Sequence, residues 1–400
     1  MKKLTTLMLL LLMITPCLMA QKKELSQARS YIKSGNNMDK VEQLMKELLA
    51  KDPANKTNHK IYLTWYEAVL KQYYAGNEKL YLKQKYDTAS MYQQTRRMFE
   101  ILMALDSVDA MPDKKGKVKT KYRKKHAAEL DVFRPNLYYG GSYYLHKAKY
   151  ADAFTLYDLY LNTVVHPMFA NKQYADNDTL LSNAAYWATY SAYMMNDPEK
   201  ILRHSSMAMN DSSQNELVMQ YVAEAYKKLG DNAKYTEVLE EGFEKYPMSK
   251  YFFPHLTDYY VSKDNLKHVL ELADKGLKVA PDDMLFLFTK SSMLLNMGRY
   301  DDCVKVSEKM IELNDTLPDS YYNAGMSYMN KSLIMEEESG AKIEKKALLE
   351  LYSKALPYLE KYRKLRLKEK NRWGAALYKI YLNLNMGKQF DEIDKLLNTK

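Results

Sequence analysis

The chain has 400 residues but only two cysteines, 13 glycines and 11 prolines. So little glycine and proline leaves few places for left-handed or broken backbone. That speaks against a turn-dense β-sandwich, and against a phosphate-cradling loop, which needs glycines after a strand. The cysteines are Cys17 and Cys303, too few for a disulfide framework or a thiolate metal cluster. The seven histidines (His59, His126, His146, His166, His204, His255 and His268) never stand at i, i+4, and no HExxH occurs, so no metal-ligand spacing is present. Beyond the first twenty residues no apolar run is long enough to cross a bilayer. Paired acids such as Asp301-Asp302 and Glu240-Glu241 fall on the expected solvent faces of helices. No catalytic constellation, cofactor site or metal site is expected.

What the chain does have is a period. Asn196, Gly230, Asp264 and Gly298 follow one another at steps of 34 residues, each a residue type that turns favour. A second series at the same step is small: Thr189, Ala223, Thr257, Ser291 and Gly325. A third is apolar or aromatic: Ala192, Tyr226, Tyr260, Leu294 and Tyr328. Ala208, Gly242, Gly276 and Met310 make a fourth, and Pro247 and Pro281 close two successive units. A fixed step of this length in a helical pattern marks a stacked helix-turn-helix array. The 36 tyrosines suit such an array, because a tyrosine buries its ring while its hydroxyl stays wet.

These residues resemble the tetratricopeptide repeat (TPR) family over nearly all of the chain, most specifically between Asp178 and Asn330. The stretch Glu216–Pro247 fits best, with Ala223, Tyr226, Gly230, Gly242 and Pro247 at the family's positions. One position departs. The early second-helix site that the family usually gives to alanine is Ile201, Tyr235, Val269 and Cys303 here, which implies helix pairs set further apart than usual in the family. The resemblance implies an all-α fold, a right-handed α-solenoid of stacked helix-turn-helix (TPR-like) repeats, in roughly eight units. Leu351–Lys361 is similar to the second helix of TPR proteins exported to the envelope of Gram-negative bacteria.

Taken in order, residues 1–20 read as a secretory signal. Lys2 and Lys3 precede the apolar run Leu7–Ile14, and a small-residue exit follows at Ala20. Cys17 opens the alternative of a lipoprotein anchored there. Cleavage after Ala20 removes two positive charges from a net +10 and leaves Cys303 as the sole cysteine, read as a small buried apolar residue. Residues 21–161 read as N-terminal TPR-like repeats: a first pair over Glu24–Pro53, a turn at Gly76-Asn77, a long second helix from Leu80 to Leu102, and a pair over Pro135–Leu161. Between them lies a basic loop, residues 113–125, and after them an insertion, Val164–Asp178. Residues 178–330 form the regular array. In residues 331–400, Glu336-Glu337-Glu338 and Ser339-Gly340 interrupt, and a long helix runs over Ile343–Lys370. Pro357 is placed in the first part of a second helix, where its missing donor costs least. A final pair, Trp373–Met386 and Phe390–Leu397, ends on polar residues as a cap should.

Function is therefore expected on surfaces. Ser30 and Lys33 match the serine–xx–lysine spacing of penicillin-recognising enzymes, but the other elements of that site are missing, so the match is coincidental. In TPR proteins the first helices line a concave groove that holds extended peptides or partner helices. Carried over, the groove positions are Tyr138 and Ser142; Tyr186, Tyr190 and Tyr193; Gln220, Glu224 and Lys227; Asp258; Phe288 and Ser292; Tyr322 and Met326. The repeated lysines and asparagines with which one TPR variant grips a C-terminal carboxylate do not appear. The basic loop, with Lys114, Lys115, Lys117, Lys119, Lys121, Arg123, Lys124 and Lys125, offers contact with a membrane, a glycan or another anionic surface. Export argues against nucleic acid as its partner. The expectation is a non-catalytic periplasmic scaffold for protein–protein interactions, as in envelope protein secretion or outer-membrane assembly. The alternative is an outer-membrane lipoprotein that binds glycan or anionic lipid through the basic loop.

Overall fold

The computed structural model describes residues 21–339 and 344–398. The expected signal over residues 1–20, its Cys17 and the expected interruption at Gly340 lie outside the described residues. The helices are α1 (residues 21–34), α2 (Met38–Lys51), α3 (His59–Tyr81), α4 (Thr88–Asp109), α5 (Arg123–Phe133), α6 (Pro135–His146), α7 (Tyr150–Val165) and the single turn α8 (Tyr174–Asn177). There follow α9 (Leu181–Met194), α10 (Pro198–Ala208), α11 (Asn215–Leu229), α12 (Asn232–Lys245), α13 (Phe252–Ser262), α14 (Leu266–Val279), α15 (Met284–Asn296) and α16 (Tyr300–Leu313). The last four are α17 (Pro318–Ser339), α18 (Lys345–Leu365), α19 (Lys370–Asn383) and α20 (Gly387–Asn398). No strand occurs among the described residues, and none of their helices is long and apolar enough to cross a membrane.

The chain divides into two compact units, Met1–Tyr235 and Thr236–Lys400, with the division inside α12. In the first unit the pairs are α1/α2, α3/α4, α6/α7 and α9/α10, followed by α11. In the second they are α13/α14, α15/α16, α17/α18 and α19/α20. The all-α, TPR-like helical repeat expected from the sequence is the fold observed.

Two of the 34-residue series belong to one turn. Asn196, Gly230, Asp264 and Gly298 are the residues in left-handed backbone, with φ of 59°, 74°, 56° and 73°. The next residue in each case donates its N–H back to the third series: Asp197 to Ala192 O, Asp231 to Tyr226 O, Asn265 to Tyr260 O and Arg299 to Leu294 O, at 2.9–3.1 Å. This 6→1 bond after a left-handed residue is the Schellman closure, which satisfies carbonyls the helix end leaves open. The irregular pairs use it too. Ala148 (φ 53°) and Asn385 (φ 55°) precede bonds from Lys149 to Tyr144 O and from Met386 to Tyr381 O.

The glycine series serves close approach between successive helix pairs. A methyl group on Gly276 of α14 would lie 2.7 Å from three ring atoms of Phe286 on α15, and Phe252 stands over Gly242 in the same way. The non-alanine positions early in the second helices are core: Ile201, Tyr235, Val269 and Cys303 are all at most 5% exposed.

Three local expectations are corrected. Gly76-Asn77 is not a turn; α3 runs on to Tyr81, and the left-handed residue is Lys83 (φ 55°). Gly76 is glycine because the Tyr86 ring lies against it. The glutamate run does not interrupt, since α17 continues through Ser339. Glutamate favours helix, and Glu336 is held by Tyr352 Oη at 2.8 Å and by Lys379. Pro357 lies in the interior of α18, because that helix already begins at Lys345. Its missing N–H therefore costs a real intrahelical bond.

Candidate partner-binding site

The predicted groove residues of the first unit sit on α6, α9 and α11. Those of α9 form a strip of rings with Tyr221 of α11. Tyr193, 38% exposed, stacks on Tyr221 with centroids 4.4 Å apart and planes at 26°. Tyr190 meets Tyr221 at 6.1 Å and Trp187 edge-on at 5.8 Å, and reaches Tyr150 of α7 at 6.1 Å. Tyr221 is buried at the centre of the strip, and burial together with the neighbouring Tyr186 phenol raises its pKa far above the ordinary phenol value. Tyr186 is itself buried, at 7% exposure. It is a wall of the strip and not one of its open faces. Tyr221 escaped the sequence reading, yet a signal existed: Trp187, Tyr221 and His255 are ring-bearing residues at the same 34-residue step.

An opening of about 490 Å³ lies beside the strip, lined among others by Tyr193, Met194, Pro198, Glu224, Lys227 and Lys228. Lys227 leans over the Tyr235 ring at 5.9 Å, and Lys228 is bound to the Asn196 carbonyl. Gln220 donates to Glu216 at 3.3 Å. Tyr138 and Ser142 are bonded to side chains of α7 and α9. Tyr138 Oη donates to Asn183 Oδ1 at 2.7 Å, and its ring meets Tyr157 edge-on, while Ser142 shares a 2.8 Å hydrogen bond with Tyr157 Oη. These two residues tie α6 to α7 and α9.

In the second unit Phe288 is 38% exposed on α15. Tyr322 is covered by the Arg372 guanidinium at 4.0 Å and meets Tyr362 at 5.1 Å, and Met326 packs partly buried against the same C-terminal core. Asp258 is exposed on α13, and Ser292 accepts a bond from buried Asn323 at 3.3 Å. Cys303 is fully buried and donates to the Ser291 carbonyl at 3.2 Å.

The insertion Val164–Asp178 is held by a polar cluster the sequence did not reveal. Arg134, before Pro135 at the start of α6, lies between the rings of Tyr160 and Tyr174, with its guanidinium carbon 3.8 Å from each centroid. Its Nε donates to Thr163 Oγ1 at 2.7 Å and its Nη1 to Asp178 at 2.6 Å. Tyr160 Oη also donates to Asp178, and Lys172 and Tyr174 both donate to Asp131. Burial alone would raise the Asp178 pKa. The bonds from Tyr160, the Leu180 N–H and Arg134, with the charge of Arg134, outweigh it and hold the carboxyl below its ordinary value. Each cation here has its carboxylate, so the cluster reads as a clamp.

The basic loop is exposed except at one end. Arg123 does not face solvent as a free cation: it forms a bidentate pair with the buried carboxylate of Asp106, at 2.8 Å through Nε and Nη2. A planar fork matched to a buried carboxylate is worth more than a solvated contact. Lys125 lies 3.6 Å from Glu129, and Lys121 stands over the Tyr122 ring. Among the described residues no group of three or more His, Cys, Asp or Glu could hold a metal ion.

No protein-family model matches the chain, and no curated protein matches it. Its likenesses among solved structures are to TPR proteins. YrrB, described as a TPR protein with an unusual peptide-binding site, is 17% identical, covering 51% of this chain and 96% of that one with a TM-score of 0.36. The C-terminal part of a TPR repeat-containing protein from Cytophaga hutchinsonii is 11% identical, covering 64% and 93%, with a TM-score of 0.42. MamA from Desulfovibrio magneticus is 12% identical, covering 47% and 96%, with a TM-score of 0.33.

Proposed function

We propose that this chain, a TPR-like stack of helix pairs, is a non-catalytic scaffold that takes a protein or peptide segment onto the ring strip of α9 and α11. One observation carries the reading. Tyr193 offers an open ring face held in place by the buried Tyr221 at 4.4 Å, next to an opening rimmed by Glu224 and Lys227. A rigid, half-exposed aromatic beside a pocket with a charged rim is the arrangement that concentrates binding energy at interfaces. The apolar run, the basic start and the small exit residue of residues 1–20 support export. The periplasm is the setting proposed, with envelope protein secretion or outer-membrane assembly as the process. Anchorage through lipid on Cys17 is the alternative.

The test is a cross-linked pull-down from the native cell envelope, comparing the wild type with a Tyr190→Ala/Tyr193→Ala variant. Loss of one reproducible protein partner with unchanged helicity supports the scaffold reading. Equal recovery by both baits refutes it for this strip. The mass of the mature N-terminus, beginning at Gln21 or at a lipid-modified Cys17, decides the anchorage.

A further inference from the structure

The loop before α5 is built, not loose. Asp113 Oδ1 accepts the N–H groups of Lys115 and Lys117 at 2.8 and 3.0 Å, and the Asp113 N–H donates to the Lys117 carbonyl at 3.0 Å. Gly116, at φ 75°, closes the turn in a conformation that side chains resist. The far end is fixed to α4, where Asp109 accepts the Tyr122 N–H at 2.9 Å and Asp106 holds Arg123. Asp106, Asp109 and Asp113 are thus engaged with loop backbone or with Arg123, and Glu129 of α5 pairs with Lys125 at 3.6 Å. Lys114, Lys115, Lys117, Lys119 and Lys124 are exposed, and none has an ion pair among the described residues.

Apolar side chains stand exposed among these lysines. Met111 is 55% and Val118 53% exposed. On α5, Lys125, Ala128 and Val132 fall on one face by helical spacing, and Val132 is 75% exposed. With Leu70 and Tyr74 of α3, and with Glu129 paired to Lys125, they border a trough of about 450 Å³. Free lysines alone would suit any polyanion. Lysines interleaved with exposed Met, Val and Tyr suit an interface that is anionic outside and apolar beneath.

We infer that this edge of the first unit docks onto an anionic lipid bilayer, with Lys114, Lys115, Lys117 and Lys119 among the headgroups and Met111, Val118 and Val132 at the acyl boundary. A soluble acidic glycan would satisfy the lysines and leave those three residues in water; a bilayer takes both. The site lies apart from the ring strip of α9 and α11, and neither reading depends on the other.

The test is flotation of the full chain with vesicles of phosphatidylglycerol and phosphatidylethanolamine in equal parts, against vesicles of phosphatidylcholine alone. Every variant keeps residues 1–20, so any contribution of that apolar run is common to all. The wild type is expected to bind the anionic vesicles well beyond its level on the neutral ones, with a part of that excess surviving raised salt. A Lys114→Glu/Lys117→Glu/Lys119→Glu variant should bind the anionic vesicles at least about tenfold more weakly. A Met111→Ser/Val118→Ser/Val132→Ser variant should bind at low salt and lose the salt-resistant part. Equal binding to neutral vesicles, or no effect of the charge reversal, overturns the inference. If the serine variant behaves as the wild type and heparin displaces both completely, the lysines serve a soluble polyanion and the bilayer site is refuted.

Discussion

Gly276→Ala sets two effects of opposite sign against each other. At an unobstructed helix position alanine is favoured over glycine by about 1 kcal/mol. On α14, however, the new methyl would meet three ring atoms of Phe286 at 2.7 Å. That ring is 2% exposed and packs edge-on against Phe253 at 4.7 Å, so it has no open side to turn to. Adding a methyl to a filled core costs roughly 1–3 kcal/mol, and a separation below any normal carbon contact belongs at the upper end. The net expectation is a loss of roughly 1–2 kcal/mol. Gly387→Ala in α20 is the internal control: nothing lies within 4 Å of its methyl, and it should stabilise by up to about 1 kcal/mol. Urea denaturation followed by far-UV circular dichroism reads both as shifts of the midpoint at constant slope. Phe286→Leu in the Gly276→Ala background should cost less than it does in the wild type, because the space it vacates takes the methyl. If Gly276→Ala stabilised the protein as Gly387→Ala does, the close approach of α14 to α15 would not be what selects glycine there.

The Asp178 carboxyl is held below its ordinary value of 3.8, so its stabilisation is fully present above that value and is lost as pH falls through the lower folded value. Urea midpoints taken from about pH 5 down to about pH 2 should therefore fall more steeply in the wild type than in Asp178→Asn. Arg134→Met leaves that carboxylate nearly buried beside only its Tyr160 and Leu180 donors, a loss of roughly 3 kcal/mol. Arg134→Met/Asp178→Leu should recover part of it in the same assay. The Cys303 thiol, fully buried, should react with a thiol reagent only at the rate of unfolding, and any faster reaction would place it at a surface.

What was legible in the sequence was whatever local backbone chemistry imposes. Glycine, asparagine and aspartate take left-handed backbone most readily, so the series from Asn196 to Gly298 marks its turns, whereas Lys83 and Ala148, at φ 55° and 53°, give no such sign. The same rule misled at Gly76, because glycine also serves where a ring presses on a helix, and Tyr86 gives no sign of that ten residues away. Pro357 misled because a helix can absorb a lost bond when its buried face, here Tyr352, Ala355, Leu359 and Tyr362, holds it in place. The candidate site was half visible. The period located Tyr190 and Tyr193 on a first helix, but it could not tell that Tyr186 turns inward or that Tyr221 backs the strip, since burial is decided by the neighbouring helix. Arg134 was invisible for another reason: its partners Thr163 and Asp178 are 29 and 44 residues away, outside any local pattern.

That separation also bears on the order in which the chain folds. In a stack whose helices touch mainly their sequence neighbours, folding can begin at any pair and spread to the next. Arg134 removes that freedom locally. Its guanidinium finds no partner until α7 supplies Thr163 and the insertion has closed to bring Asp178, so the α6/α7 pair completes its contacts only when the loop beyond it is shut. Closing that loop is an entropic cost the regular repeats avoid. The α6-to-Asp178 segment should then behave as one cooperative block, opening and closing as a whole while its neighbours fray one turn at a time.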